Sequence, residues 1–144
     1  MKKLSKLLFA FTFITVLVTK TSAQETLYKR LGGYDAIAAV TDDFIGRLAT
    51  DKSLSRFFIG QSDDSKAKIR AHIIDLVCKV TGGSCTYSGR DMKTSHKGLG
   101  ITEADWNTMA GLFVATLNKF NVPKKEQDEL LAIVATTKKD IVDK

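Results

Sequence analysis

Gly82-Gly83-Ser84-Cys85-Thr86-Tyr87-Ser88-Gly89-Arg90-Asp91-Met92-Lys93-Thr94-Ser95-His96-Lys97-Gly98-Leu99-Gly100-Ile101 lies between two strongly helical segments and carries His96, one of only two histidines in a chain of 144 residues. Its glycines mark turns rather than a continuous helix or strand. A neutral imidazole is a common metal ligand, and a short, rigid segment bounded by turns is the kind of support that keeps such a ring at a fixed angle.

On the N-terminal side, Ile69, Ile73, Leu76, Val77 and Val80 recur at helical spacing, and Gly82-Gly83 end that helix. It opens near Asp63 or Asp64, where a carboxylate caps free amides and meets the positive end of the dipole. His72 falls three residues after Ile69 and four before Leu76, on the edge of the apolar stripe. On the C-terminal side, Thr102-Glu103-Ala104-Asp105 reads as a capping box, opening a helix whose face is Trp106, Met109, Ala110, Phe113, Leu117 and Phe120.

Farther out, Ile37, Thr41, Phe44, Ile45 and Leu48 mark one face of a helix from about Tyr34 to Ala49, preceded by Gly32-Gly33. The period breaks over residues 53–62, which hold Phe57, Phe58 and Gly60. Pro123, the only proline, stands where a fourth helix starts, a place that tolerates its missing N–H. Leu130, Leu131, Val134 and Ile141 are the stripe of that helix. No stretch alternates with period two, so the chain is expected to be all-α.

The first 23 residues are expected to lie outside the fold. Lys2, Lys3 and Lys6 precede an apolar run from Leu7 to Val18, and Thr21-Ser22-Ala23 supplies small side chains for cleavage, the pattern of a secretory signal. The run is shorter than the about 20 residues a membrane-spanning helix needs. Residues 24–144 are then one exported domain, with no membrane span, in a periplasm-like compartment.

Four of the 22 Lys and Arg residues fall in the signal and none of the 16 Asp and Glu do, which leaves 18 against 16 and a net charge of +2. That balance, without a basic stripe interleaved with aromatics, excludes nucleic acid as the expected partner. Cys78 and Cys85 stand seven apart around the Gly82-Gly83 turn. In an oxidising compartment they can close a disulfide worth about 2.5 kcal/mol by loop entropy, or remain two thiols at a helix end. Cys-x-x-Cys-His is absent, so a haem in this chain would be held without thioether links.

A loop histidine such as His96 suits the five-coordinate iron of a b-type haem. Leu27-Tyr28-Lys29-Arg30-Leu31-Gly32-Gly33, the Phe57-Phe58 pair, the Gly82-Gly83 turn and Tyr87-x-Gly89-Arg90-x-Met92-x-x-x-His96-x-Gly98-Leu99-x-Ile101 occur in that order. Together they make residues 25–144 resemble a truncated haemoglobin of the first group. The resemblance implies two antiparallel helix pairs, a 2-over-2 sandwich, around one noncovalent haem b. His96 would be the proximal iron ligand, its other ring nitrogen donating to a backbone carbonyl. Phe58, with Phe57 beside it, would pack on the porphyrin, and Met92 belongs to the same cofactor-binding motif. Lys68, Arg90 and Lys93 are candidates for the propionates, or are simply solvated.

On the distal side the chain departs from its relatives. Where many carry a tyrosine and glutamines, the matching positions are Ile45, Ile69 and Ile73. Isoleucine donates no hydrogen bond, so dioxygen, which gains from a donor, would be held more loosely than in those relatives. His72, in Lys68-Ile69-Arg70-Ala71-His72, is similar to a histidine that coordinates iron from the distal side in cyanobacterial members. It is either such a ligand or a histidine near the surface that touches a propionate or water.

The leading expectation is a monomeric haem protein that reversibly binds oxygen, nitric oxide or carbon monoxide. The alternatives are a nitric oxide dioxygenase or peroxidase-like enzyme served by an electron-donating reductase, a six-coordinate His72/His96 electron-transfer protein, or a helical interaction module without haem. No catalytic set such as Ser-His-Asp or His-Glu-x-x-His is present.

Overall fold

A computed structural model describes residues 25–143. The signal segment expected over residues 1–23 lies outside the described residues. The helices are α1 (Leu27–Arg30), α2 (Gly33–Thr50), α3 (Asp63–Val80), α4 (Met92–His96), α5 (Glu103–Lys119), α6 (Lys124–Ala135) and α7 (Lys138–Ile141), with a 3₁₀ turn at Ser55–Phe58. No strand forms among the described residues. Four long helices carry the mass: α2 packs on α3 and α5, α1 on α2 and α6, and α4 on α7.

Side-chain caps set the helix starts. Ser62 accepts from Ser65 N at the head of α3. At α5 the capping box is complete: Asp105 N donates to Thr102 Oγ1 at 3.2 Å and Thr102 N donates to Asp105 Oδ2 at 2.9 Å, a motif worth about 1 kcal/mol. Pro123 stands one place earlier than expected. It is the extended N-cap of α6 (φ −61°, ψ 148°) rather than the first helical residue.

The ends of α3 and α5 are set by left-handed residues. At the close of α3, Gly82 N donates to Lys79 O at 3.2 Å and Gly83 N to Cys78 O at 2.8 Å, with Gly82 at φ +92°. That pair of bonds is a Schellman motif, which satisfies two carbonyls the helix leaves free. Asn121 (φ 53°) plays the same part after α5, where Val122 N donates to Leu117 O at 3.0 Å. The stripe expected to run on to Ile141 as one helix is divided between α6 and α7.

Gly82 is required by its left-handed backbone, and the close approach of Tyr28 and Cys78 explains the second glycine. A Cβ on Gly83 would come within 2.8 Å of the Tyr28 ring and 2.6 Å of Cys78 Sγ. Tyr28 N also donates to Thr81 O at 2.8 Å, which fastens the start of the domain to the end of α3. Cys78 and Cys85 are bonded, with Cα atoms 5.8 Å apart, so the tight turn is also a covalent ring. Farther along, Arg30 donates to Glu126 at 3.0 Å and pairs with Glu129, tying α1 to α6, while Arg70 donates to Asp42 at 2.8 Å between α3 and α2.

The buried core is divided. Leu27, Phe113, Leu117 and Leu130 form one cluster, and Ile37, Ile74 and Cys78 another. Of the stripe expected on α3, only Val77 packs against the second cluster: Ile74 and Cys78 are fully buried there, whereas Ile69, Ile73 and Leu76 are half-buried. Successive residues turn by about 100°, which places Ile74 about 140° around from Ile69. The face read from the sequence looks into a cavity instead.

Candidate functional site

That cavity, of about 830 Å³, is lined by α2, the 3₁₀ turn, α3, the loop before α4, α4 itself, α5, α6 and the end of α7. Its size falls within the about 300–1,000 Å³ typical of cofactor sites, and its walls are mostly apolar. Both histidines face it, His72 from α3 and His96 from α4.

His96 ends α4, a helix of five residues. Asp91 caps that helix by accepting from Thr94 N and Thr94 Oγ1, each at 2.8 Å. These two bonds also hold the Asp91 carboxyl below the usual carboxylate range. After His96 the chain turns back at once, with Leu99 N donating to His96 O at 3.2 Å and Gly98 at φ +81°, a conformation that favours glycine. The imidazole is fixed inside this frame because its Nδ1 lies 2.8 Å from the Met92 carbonyl. A carbonyl only accepts, so Nδ1 carries the proton and Nε2 keeps its lone pair for a metal.

His72 is half-buried on α3 and differs in one respect. Its Nδ1 is buried and has no hydrogen-bond partner. The ring meets Tyr87 edge-on, with centroids 5.9 Å apart and planes at 74°. Tyr87 hangs from the loop before α4, its hydroxyl donating to Arg90 O at 2.6 Å. Burial, and then the nearby Asp91 charge, raise its phenol pKa.

The remaining walls come from Phe44 on α2, Phe57 and Phe58 on the 3₁₀ turn, Ile69 and Ile73 on α3, Met92 on α4, and Trp106 and Phe113 on α5. Phe44 and Phe113 pack with centroids 4.9 Å apart. The 3₁₀ turn is clamped to the head of α5: Arg56 lies 4.3 Å over the Phe57 ring and donates to Asp105 at 2.7 Å. Asp105, 5% exposed, has its pKa lowered to about 2 by hydrogen bonds from Thr102 N, the Thr102 hydroxyl and Arg56, in that order. Lys68 and Arg90 are exposed cations on the lining, and neither forms a salt bridge among the described residues.

Of the residues singled out from sequence, the cavity brings together His96, His72, Phe57, Phe58, Ile69, Ile73, Lys68, Arg90 and Met92. It does not include Ile45 or Lys93. On α2 the lining residues Ile37, Val40, Thr41, Phe44 and Leu48 share one arc, whereas Ile45 is turned about 80° from Ile37. Phe44 rather than Ile45 lines the cavity, and Thr41 is the one hydroxyl that α2 presents to it. Lys93 sits in the first turn of α4 with its side chain exposed. Tyr87 was not foreseen as a site residue, although a glycine two places after an aromatic is a signal for a ring folded back on its own loop. A Cβ on Gly89 would lie 2.4 Å from the Tyr87 hydroxyl oxygen.

These features fit a haem. The apolar walls suit a flat porphyrin, a free Nε2 suits its iron, and the cations at the rim suit its carboxylates. A family model for bacterial-like globins matches residues 26–143. The chain is 32% identical to a group 1 truncated hemoglobin of Synechocystis, over 81% of this chain and 97% of that one. It is 30% identical to another from Mycolicibacterium paratuberculosis, over 76% and 79% respectively. Its fold is similar to the Fe(III) truncated hemoglobin of Tetrahymena pyriformis, at a TM-score of 0.75 and 25% identity, covering 83% of this chain and all of that one. A 2/2 hemoglobin from a Synechococcus species, described with covalently attached heme, matches at a TM-score of 0.75 and 28% identity with the same coverage.

Proposed function

Because this chain belongs to the bacterial-like globin family, as a haem-binding group 1 truncated haemoglobin, we propose that it holds one noncovalent haem b on His96 and reversibly binds oxygen, nitric oxide and carbon monoxide. The observation that carries this reading is the His96 imidazole, directed by the Met92 carbonyl so that Nε2 is free at a cavity of cofactor size. When bound, the haem iron supplies a coordination position that takes a diatomic gas.

The chain's own residues do the rest. His96 holds the iron and, through its Nδ1–H bond, keeps a single ring orientation. Phe57 and Phe58 exclude water from the porphyrin faces, and Lys68 and Arg90 offer charge to the propionates. Ile69 and Ile73 keep the gas site dry and give it no hydrogen bond, which favours carbon monoxide over the more polar dioxygen. Noncovalent attachment is supported by the cysteines, which are bonded to each other and so leave no thiol for a thioether link.

A second reading is supported by His72, whose ring lines the same cavity. In it His72 would be a second protein ligand to the iron, so an external ligand would compete with an imidazole and its apparent affinity would fall by the fraction of open sites. Such a haem is also suited to electron transfer. An exported monomer, served by an electron-donating reductase, completes the reading. Export to a periplasm is supported by the basic and apolar N-terminal segment and by a disulfide of the kind that persists in oxidising compartments.

The test is the absorption spectrum of the reduced, ligand-free protein beside that of His72→Ala. A Soret band with sharp, split visible bands in the parent, lost in the variant, is expected for His72 coordination. A parent spectrum that the substitution leaves unchanged eliminates the distal ligand, and a protein that takes up no haem eliminates the whole reading.

A further inference from the structure

Resting on the haem reading above, we propose that Tyr87 is a positioning residue, which holds His72 in the cavity and couples it to the segment that carries His96. His72 needs such a support. Its Nδ1 is buried without a partner, so no hydrogen bond at that atom sets the angle of the ring. Packing sets it, and Tyr87 is the aromatic neighbour, meeting the imidazole edge-on at 5.9 Å.

Tyr87 is itself anchored where a support has to be. Its hydroxyl donates to the Arg90 carbonyl at 2.6 Å, and the same oxygen accepts from Ser95 Oγ at 3.3 Å, one residue before His96. Two places upstream, Cys85 is bonded to Cys78 at the end of α3, the helix that carries His72. The phenol is therefore held from α3 on one side and from α4 on the other. Gly89 shows that the loop is built around it, since any side chain there would meet the phenol ring within 2.7 Å. Moving the loop before α4 moves Tyr87, and with it the packing of the distal imidazole.

A contact of this kind changes an equilibrium by about two- to twelvefold. The experiment is a stopped-flow measurement of carbon monoxide binding to the reduced holoprotein, which His72 release limits, in the parent, Tyr87→Phe, Tyr87→Leu, His72→Ala and the His72→Ala/Tyr87→Leu double variant. Tyr87→Leu, which keeps apolar bulk and loses the ring, is expected to speed binding about two- to tenfold. Tyr87→Phe, which keeps the ring, is expected to stay within about twofold of the parent. In the His72→Ala background, Tyr87→Leu is expected to change nothing, because its effect acts through His72.

An equal acceleration in both backgrounds would show that Tyr87 is merely structural, and no acceleration in either would also overturn the inference. If Tyr87→Leu proves unstable without haem, Tyr87→Met, which also loses the ring and keeps apolar bulk, carries the same comparison, and a rate equal to the parent's overturns the inference. A parent that binds haem with a spectrum insensitive to His72→Ala overturns the inference while leaving His96 ligation intact. A parent that binds no haem overturns both.

Discussion

A single hydrogen bond decides what His96 can do. With Nδ1 donating to Met92 O, the ring has one tautomer and one lone pair left to give. Opposite, the isoleucines decide what the site withholds. With haem seated as proposed, Ile69→Gln or Ile73→Gln would add an amide donor to the cavity, and one new hydrogen bond of about 1 to 1.5 kcal/mol would slow oxygen dissociation by about five- to twelvefold. Stopped-flow displacement of bound oxygen by carbon monoxide reads that rate, and carbon monoxide dissociation should change much less. Asp105 ties stability to acid. Its carboxyl titrates near 2 in the fold, below the about 3.9 of an unfolded chain, so its contribution is complete above about pH 4 and is lost as the pH falls towards 2. Asp105→Asn is expected to lower the thermal midpoint at pH 6 and to flatten its fall in acid, measured by circular dichroism. A parallel acid dependence in parent and variant would count against that assignment.

The turn that ends α3 joins backbone, disulfide and site. Gly83→Ala drives a methyl to within 2.6 Å of Cys78 Sγ and 2.9 Å of its carbonyl, a clash with a fixed ring rather than with a flexible chain end. Overpacking of this sort costs about 1–3 kcal/mol. Cys85→Ser opens the eight-residue ring, with a loss of about 2.5 kcal/mol in the chain-entropy treatment. Urea unfolding of each variant beside the parent measures both losses.

Helix starts and stops were legible because they depend on local chemistry: the Thr102–Asp105 box, the Gly82-Gly83 stop and the turn at Gly98 each need only neighbouring residues. Which of Phe44 and Ile45 lines the cavity was not legible, because 3.6-residue periodicity puts both on the α2 stripe and the packing of Phe44 on Phe113 of α5 is a long-range contact. Tyr87 was missed as a site residue because its role joins the loop to α3, a contact that no spacing encodes.

Across the whole molecule, the apolar residues of α2, α3 and α5 outnumber those that reach full burial. Among the described residues, only Ile74, Leu117, Thr116 and Cys78 are buried almost completely among the larger side chains, and much of the remaining apolar surface faces the cavity. A domain of this size depends on filling that space. Haem that binds only the folded state adds about 4 kcal/mol when free ligand is 1,000 times Kd, and raises the thermal midpoint by about 15 °C. Differential scanning of the haem-free and loaded protein reads the shift.

The central claim, one haem seated on His96, is tested most directly by titrating the haem-free protein with haem and following the Soret band, beside the His96→Ala variant. One equivalent taken up by the parent, with a binding constant that collapses in the variant and recovers when free imidazole is added, is the result expected. Uptake by the parent that never saturates at one equivalent, or a variant that binds and absorbs as the parent does, would contradict it.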